Sequence, residues 1–155
     1  TAVTRLSEMG IPPFLIGASV VGVLAQRLVR ALCPACKIKS TDKSHPLFDK
    51  HNISHHYLPN IIEEDKNKNK NVCPVCNGSG YKGRVGIYEV LEITDNIREH
   101  ILEGSNAEQI RAAATKQNNR TLLDYGMWLV SEGKTSMSEV ERVCTIDNVN
   151  VEDIP

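Results

Sequence analysis

The sequence predicts an α/β fold, because strand-like and helix-like patterns occupy different parts of the chain. Residues 84–93 are rich in β-branched and aromatic side chains and partly alternate, which indicates a strand. From Thr94 onward, apolar residues recur at helical spacing between capping signals. Two Cys-x-x-Cys pairs in the first half predict a metal-binding subdomain in addition. A chain of 155 residues suits one domain, or a small domain with an appendage.

The N-terminal region, residues 1–32, is dense in apolar side chains. Pro12 and Pro13 predict the start of a short helix. The following run, residues 20–30, fits a strand by its β-branched residues and a helix by its apolar spacing of three to four. Periodicity alone leaves both possibilities open.

Composition excludes two classes of function. The longest apolar run, residues 11–25, is interrupted by proline and glycine, and a bilayer span needs about 20 apolar residues. We therefore expect no transmembrane segment. Residues 1–86 carry 12 Lys and Arg against 6 Asp and Glu, but these basic residues form no dense patch studded with aromatic residues. Binding to nucleic acid is therefore not favoured.

The C-terminal region reads as helical. Three segments fit a capping box, in which a hydroxyl and a carboxylate satisfy free amides at a helix start; they are residues 105–108, 121–124 and 136–139. Gly104 and Gly133 stand where helices would end. Met127 and Cys144 lie on apolar helical stripes, so we expect both to be core residues rather than a ligand or a nucleophile.

Four of the five cysteines form two matched knuckles, Cys33-Pro-Ala-Cys36 and Cys73-Pro-Val-Cys76, with 36 residues between them. This pattern is typical of a tetrahedral zinc site with four thiolate ligands. Because four thiolates fill the coordination shell of zinc, we predict a structural rather than a catalytic site. Thiolate ligands also imply a reducing compartment.

Other uses of these cysteines fit less well. A disulfide scaffold would leave the fifth cysteine over, and a redox pair needs one Cys-x-x-Cys rather than two. Four histidines lie between the knuckles, and we expect them on a solvated loop, since four cysteines already suffice for a metal; they are His45, His51, His55 and His56. The Lys/Asn stretch of residues 66–71 predicts a mobile loop.

The glycines after the second knuckle raise a different possibility. Residues 78–83 fit G-x-G-x-x-G, a pattern found in phosphate-binding loops. Such a dinucleotide loop follows a strand and opens a helix, whereas here a knuckle precedes and a strand follows. The partner motifs of a kinase glycine loop are also missing from the chain. Gly78 and Gly80 instead suit the left-handed turns that direct backbone amides toward sulfur.

Several segments together resemble the C-terminal portion of secretion ATPases, the hexameric motors of type II secretion and type IV pilus assembly. They are MGIPPFLI at residues 9–16, QRLVRALCPAC at 26–36, CPVCNGSGYKGRVGIYEVL at 73–91, and the closing segment 135–143. The resemblance covers about residues 1–144. It implies that the chain is the end of a longer protein.

The resemblance implies a domain order. Residues 1–32 and 84–93 would be the last helix and strands of a RecA-like P-loop NTPase core, which makes residues 20–30 a strand. Residues 33–83 would be an inserted tetracysteine zinc subdomain, residues 94–145 a C-terminal helical subdomain, and residues 146–155 a tail.

It also implies a function. The parent protein would be a cytoplasmic hexamer, peripheral at the inner membrane of a bacterium, that uses ATP and Mg²⁺ and contacts inner-membrane platform and cytoplasmic assembly proteins. The Walker A and Walker B motifs of the family are missing from this sequence. We therefore assign no catalytic or nucleotide-binding residue to the chain, and we do not expect it to hydrolyse ATP alone.

The sequence leaves two questions open. Arg5, Arg27, Arg30 and Arg84 either form structural ion pairs or reach the nucleotide of a neighbouring subunit. Two other classes of zinc protein are also candidates. The first is an Hsp40-like zinc-binding chaperone module. Hsp40 proteins have glycines after each Cys-x-x-Cys pair, whereas here only the second pair is followed by glycines, and this disfavours the chaperone class. The second is a nucleic-acid-binding zinc ribbon.

Overall fold

The computed structural model describes residues 2–62, 72–117 and 119–144. Within these ranges the predicted mixture of helices and strands is confirmed. The elements in chain order are α1 Ala2–Glu8, α2 Pro13–Ser19, β1 Gly22–Leu32, β2 Ile38–Ser40, α3 Pro46–Lys50, β3 His56–Leu58, β4 Tyr81–Glu92, α4 Asp95–Leu102, α5 Ala107–Lys116, α6 Leu122–Ser131 and α7 Met137–Cys144.

The strands form two small sheets. β1 pairs with β4 in one two-stranded sheet, and β2 pairs with β3 in the other. The second pair is antiparallel, with Ile38 opposite Leu58 and Ser40 opposite His56. β1 confirms the strand reading from residue 22 onward, which periodicity leaves open, whereas Val20 is the C-cap of α2. β4 begins at Tyr81, earlier than the predicted start at residue 84.

The chain divides into two compact units, each built from two separate segments. Unit 1 comprises Thr1–Ala25 and Tyr88–Thr121, and unit 2 comprises Gln26–Ile87 and Leu122–Pro155, as far as these residues are described. The residues of β1 and of β4 are divided between the two units, whereas each of the other helices and strands belongs entirely to unit 1 or entirely to unit 2.

Unit 1 is held by aliphatic side chains from its short helices. Pro12 is the N-cap of α2 and Pro13 its first residue, as predicted, because proline fixes the backbone angle and lacks the amide that this position leaves unpaired. The buried cluster packs α1, α2, α4 and α5 together with the residue that follows β4; its members are Val3, Ile16, Ile93, Ile97, Ile101, Ile110 and Ala113.

The start of α5 differs from the prediction by one residue. The capping box uses Asn106 and Gln109 rather than Ser105 and Glu108: the Asn106 side chain accepts from the Gln109 amide, and the Gln109 side chain accepts from the Asn106 amide, both at 2.9 Å. The Ser105 hydroxyl hydrogen-bonds His100 instead, at 3.1 Å. Asparagine and serine are comparable N-caps, so the sequence pattern could not separate the two positions.

The apolar run of residues 11–25 folds as α2 and the first part of β1, not as one long helix. Ile16, within α2, is 2% exposed and belongs to the core of unit 1. In the ranges that the structure describes, we find no helix with both the length and the apolar character that a membrane crossing needs.

In unit 2, helices α6 and α7 pack at close range. A Cβ atom on Gly126 of α6 would lie 2.7 Å from a methyl carbon of Val140 in α7. Met127 and Cys144 are buried, which confirms them as core residues. α6 ends at Ser131, and Gly133 follows with a φ of 62°, as expected of a helix terminator.

The segment between the knuckles is more ordered than predicted, up to residue 62. It contains α3, β2 and β3, and its own small core holds Phe48, Ile53 and His56. The prediction of a solvated loop for the histidines is wrong for His56, which is 4% exposed and stacks on Phe48 with ring centroids 4.5 Å apart. This burial lowers the pKa of His56. The predicted mobile loop at residues 66–71 lies outside the described residues.

The same segment is tied to the helices of unit 2. The Nζ of Lys37 donates to the carbonyl oxygen of Gly133 at 2.8 Å, and lies 4.3 Å from the centre of the Tyr57 ring. The Nε2 of His45 lies 2.9 Å from a carboxylate oxygen of Glu141 in α7. His51 is half-buried, and its Nε2 lies 3.9 Å from a carboxylate oxygen of Asp124 in α6. His45 and His51 therefore both contact acidic residues of the helices, which a purely solvated loop would not provide.

Candidate metal centre

The first knuckle follows directly after β1. The carbonyl oxygen of Cys33 accepts hydrogen bonds from the amides of Cys36, at 3.4 Å, and Lys37, at 3.0 Å. These bonds close a tight turn that places the side chains of both cysteines on the same side. Cys33 is fully buried, and Cys36 is half-buried.

The second knuckle repeats one of these bonds, with Asn77 in the place of Lys37, and its glycines have the predicted conformation. The amide of Asn77 donates to the Cys73 carbonyl at 2.8 Å, and the amide of Ser79 donates to the Cys76 carbonyl at 3.1 Å. Gly78 and Gly80 have φ values of 79° and 73°, in the left-handed region that favours glycine. The glycines therefore shape a knuckle that leads directly into β4.

Gly80 links the two knuckles. Its carbonyl oxygen accepts a hydrogen bond from the amide of Cys33 at 2.9 Å, and its own amide donates to the thiol of Cys76. A single residue thus fixes the first cysteine of one pair and the last cysteine of the other.

The four sulfur atoms converge. All of them lie within 4.8 Å of one another, with Cys33 Sγ 3.9 Å from Cys73 Sγ and Cys36 Sγ 3.6 Å from Cys76 Sγ. Four sulfurs around a metal at about 2.3 Å would lie about 3.8 Å apart at the corners of a tetrahedron, so the donor set and its spacing fit such an ion. The cysteines are free thiols rather than disulfides.

Two of the four thiols, Cys36 and Cys76, have pKa values that differ from the ordinary cysteine value. Burial, followed by hydrogen bonding to the neighbouring thiols, raises the pKa of Cys36 to about 12. Burial also opposes ionisation of Cys76, but the Gly80 amide and the neighbouring thiols outweigh it and lower the pKa to about 7. Because a thiol must lose its proton to bind a metal, occupation of this site by a cation would release protons.

The histidines do not join the cluster. Among the described residues, the group of side chains close enough to hold a metal ion consists of the four cysteines, and none of His45, His51, His55 and His56 belongs to it. The separation of the cysteines from the histidines was expected, although the reason given for the histidines, a solvated loop, does not hold for His56.

The sequence reasoning missed a buried carboxylate in the same unit. Glu139 of α7 is 1% exposed and accepts hydrogen bonds from Arg30 and Arg142. Burial would raise the pKa of Glu139, but the bonds from Arg142 and Arg30 outweigh it and lower the pKa to about 2. Glu139 was predicted only as the acidic member of a capping box. Its partner Arg30 is far away in sequence, and no local pattern identifies such a pair.

Of the four arginines singled out from the sequence, Arg30 therefore forms a structural ion pair, with its Nη2 2.8 Å from Glu139 Oε1. Arg27 donates to the carbonyl oxygen of Gln26 at 3.2 Å, and Arg84 is exposed on β4. The expected ion pair is therefore confirmed for Arg30, whereas a role at the nucleotide of a neighbouring subunit is not tested for any of the four arginines.

Known proteins that are similar to the chain agree on one family. The profile described as "Type II/IV secretion system protein" matches residues 1–142. Type II secretion system ATPase E of Vibrio cholerae is 41% identical over 144 residues, which are 92% of this chain and 27% of that protein. Type II secretion system protein HxcR of Pseudomonas aeruginosa is 36% identical over 143 residues, 92% of this chain and 25% of that protein.

A pilus protein matches to a similar extent. Type IV pilus assembly ATPase PilB of Thermus thermophilus is 36% identical over 140 residues, 90% of this chain and 15% of that protein. The chain thus spans about a quarter or less of the length of these relatives. The match nevertheless covers nearly the whole chain and includes both knuckles. The chain belongs to the Type II/IV secretion system protein family.

Proposed function

We propose that the chain is the C-terminal part of a hexameric cytoplasmic ATPase that powers type II secretion or type IV pilus assembly at the bacterial inner membrane. The observation that carries this proposal is the family match over residues 1–142, with relatives named as secretion and pilus ATPases. In this proposal, residues 1–32 and 84–93 belong to a RecA-like core, residues 33–83 form the zinc subdomain, and residues 94–145 form the helical subdomain.

The parent protein would bind ATP and Mg²⁺ through residues outside this chain, because the sequence contains no G-x-x-x-x-G-K-[ST] motif. The contribution of the chain would be architectural. It supplies a rigid subdomain and helices that shape contacts with neighbouring subunits, the inner-membrane platform and cytoplasmic assembly proteins.

We further propose that Cys33, Cys36, Cys73 and Cys76 bind one structural Zn²⁺. The convergence of four free thiols within 4.8 Å supports this. Four thiolates would complete the coordination shell of zinc, so the ion would hold the two knuckles together rather than activate water. Since a metal site of this type is absent from the unfolded chain, metal binding would contribute directly to folding stability.

A chimera tests the proposed function. The matching 144-residue segment of Vibrio cholerae type II secretion system ATPase E is replaced by this chain, and secretion and zinc content are measured in the same strain. We expect secretion well above that of the deletion strain and about one zinc per chain in the purified chimera. Cys73→Ser should lower both zinc content and secretion sharply, because it removes one of the four thiolates that complete the shell.

Cys144→Ser is the matched control, since Cys144 is a buried cysteine outside the sulfur cluster. It should keep both zinc and secretion. A chimera that assembles and hydrolyses ATP without restoring any secretion would argue against the motor role. A chimera that secretes but carries no zinc, with four thiols that react at once with a thiol reagent, would reject the zinc site alone.

A further inference from the structure

We propose that Glu139 is a positioning residue for the metal site, and that it acts within a segment, residues 134–139, which we call the clamp segment. This segment is bonded to the chain both where it enters the first knuckle and where it leaves the second. The inference rests on the proposed zinc site. It adds that metal retention depends on a carboxylate in α7, remote in sequence from every cysteine ligand.

The clamp segment holds the strand that leads into Cys33. The amide of Leu32 donates to the Lys134 carbonyl at 2.9 Å, and the Thr135 hydroxyl donates to the Arg30 carbonyl at 2.8 Å. The amide of Arg30 donates to Glu139 Oε2, also at 2.8 Å. The last backbone groups of β1 are therefore paired with the clamp segment, and this pairing fixes the position from which Cys33 projects.

The side chain of Glu139 fixes Arg30 a second time. Its Oε1 accepts from Arg30 Nε at 2.9 Å, and its Oε2 accepts from Arg142 Nη2 at 2.8 Å. One carboxylate thus binds the backbone and the guanidinium of the same residue. Because Glu139 is 1% exposed, water cannot replace these partners without opening the structure.

The clamp segment also holds the exit from the second knuckle. Tyr81 follows Gly80, and its hydroxyl shares a hydrogen bond of 2.8 Å with the hydroxyl of Ser136. The Arg30 guanidinium lies 4.1 Å above the Tyr81 ring, so the residue held by Glu139 also packs on the exit strand. Tyr81 and Ser136 are both buried. Entry and exit of the cysteine subdomain are therefore fastened to one short segment.

The clamp segment bonds to residues next to the ligands rather than to the ligands themselves: Leu32 precedes Cys33, and Tyr81 follows Gly80. It would therefore act as an outer shell of the proposed metal site. Outer-shell groups fix the direction from which a ligand approaches its metal, and their loss typically weakens metal binding about 10- to 100-fold. When Glu139 is neutralised, Arg30 loses its charged partner, so fewer bonds hold the end of β1 and Cys33 gains freedom to move away from the other three sulfur atoms. We expect the effect to appear as faster zinc release.

The test measures zinc release from the full chain to the dye pyridylazoresorcinol at neutral pH. Glu139→Gln keeps the shape of the side chain and removes its charge, and should release zinc about 10- to 100-fold faster than wild type. Glu132→Gln, an equal change at an exposed position, should release at the wild-type rate. Thr135→Val removes one clamp bond without changing size, so it provides a second test if Glu139→Gln does not fold.

Val140→Ala separates positioning from general stability. Val140 is fully buried in α7 but bonds to neither knuckle, so this variant lowers the melting temperature without loosening the clamp. Each variant is assayed at the same number of degrees below its own melting temperature. The proposal holds if Glu139→Gln or Thr135→Val then releases zinc faster than Val140→Ala. Equal rates would overturn it while leaving the zinc site intact. A wild-type chain without zinc would overturn the clamp and the zinc site together.

Discussion

At the scale of single residues, Gly80 occupies the most constrained position next to the cysteines. Its φ is 73°, and an added Cβ would lie 2.7 Å from the Cβ of Pro59 and 3.1 Å from the amide nitrogen of Asn60. Gly83 has a nearly identical φ of 76°, but an added Cβ would meet nothing within 4 Å. The two glycines thus share a backbone conformation and differ in the space around them.

Substitution of both glycines separates these effects. Gly83→Ala should lower the unfolding free energy by about 1–2 kcal/mol, the cost of a left-handed backbone for an L-residue. Gly80→Ala should add about 1–3 kcal/mol for overpacking, because backbone atoms stand in the way. Urea denaturation of the two zinc-loaded variants measures the difference. Equal losses would mean that Pro59 and Asn60 move aside freely.

Single residues also show where sequence reasoning succeeds. The knuckles and their glycines were predictable because a Cys-x-x-Cys turn and the glycines that follow it are local features. Glu139 was not, because its acceptor role depends on Arg30, 109 positions away in sequence. Ser-x-x-Glu fits a capping box, and the Ser136 hydroxyl does accept from the Glu139 amide at 3.4 Å. The hydrogen bond expected of a capping box is therefore present, but the Glu139 carboxylate binds Arg30, which is distant in sequence.

At the scale of elements, the crossing of α6 and α7 depends on a small residue. Gly126 sits in the middle of α6, where glycine is about 1 kcal/mol worse than alanine for a helix. Its place is explained by Val140, whose methyl carbon would lie 2.7 Å from an added Cβ. Close approach of the two helices thus outweighs helix propensity at this position.

A double-mutant cycle tests this explanation. Gly126→Ala in the wild type should destabilise the protein, since an overpacking cost of about 1–3 kcal/mol exceeds the propensity gain of about 1 kcal/mol. In a Val140→Ala background the methyl groups are gone, so the same substitution should be neutral or stabilising. Thermal unfolding of the four proteins gives the coupling energy. If the two substitutions change the unfolding free energy additively, then α6 and α7 can move apart to accommodate the added Cβ without a measurable cost.

Elements also differ in how well the sequence predicts them. The α6 and α7 helices are long enough for apolar stripes to appear, and both begin where capping signals were found. The segment between the knuckles was predicted as a polar loop because α3, β2 and β3 span only three to five residues each. A repeat of apolar residues cannot be detected over so few positions. Its core, moreover, uses the His56–Phe48 stack in place of an aliphatic cluster.

At the scale of the whole molecule, the two compact units do not follow the order of the chain, because each is built from two separate segments. Unit 2 contains both knuckles and the residues between them, as far as these are described, together with α6 and α7, whereas α4 and α5 belong to unit 1. The clamp segment and the Lys37–Gly133 bond show what joins the parts of unit 2. Since these contacts link positions about 100 residues apart, no sequence pattern predicted them. The division into domains that the family resemblance implies remains a prediction.

Hydrogen exchange with and without metal tests whether unit 2 behaves as one cooperative body. If zinc stabilises the knuckles and the clamp segment transmits that stability, chelation should speed amide exchange in α6 and α7 as well as around the cysteines. The amides of α4 and α5 should keep their protection, because their core lies in unit 1. Glu139→Gln should weaken the response, so that chelation speeds exchange in α6 and α7 less than it does in the wild type. Protection lost equally in α4 and α5 would instead indicate that metal removal unfolds the whole chain.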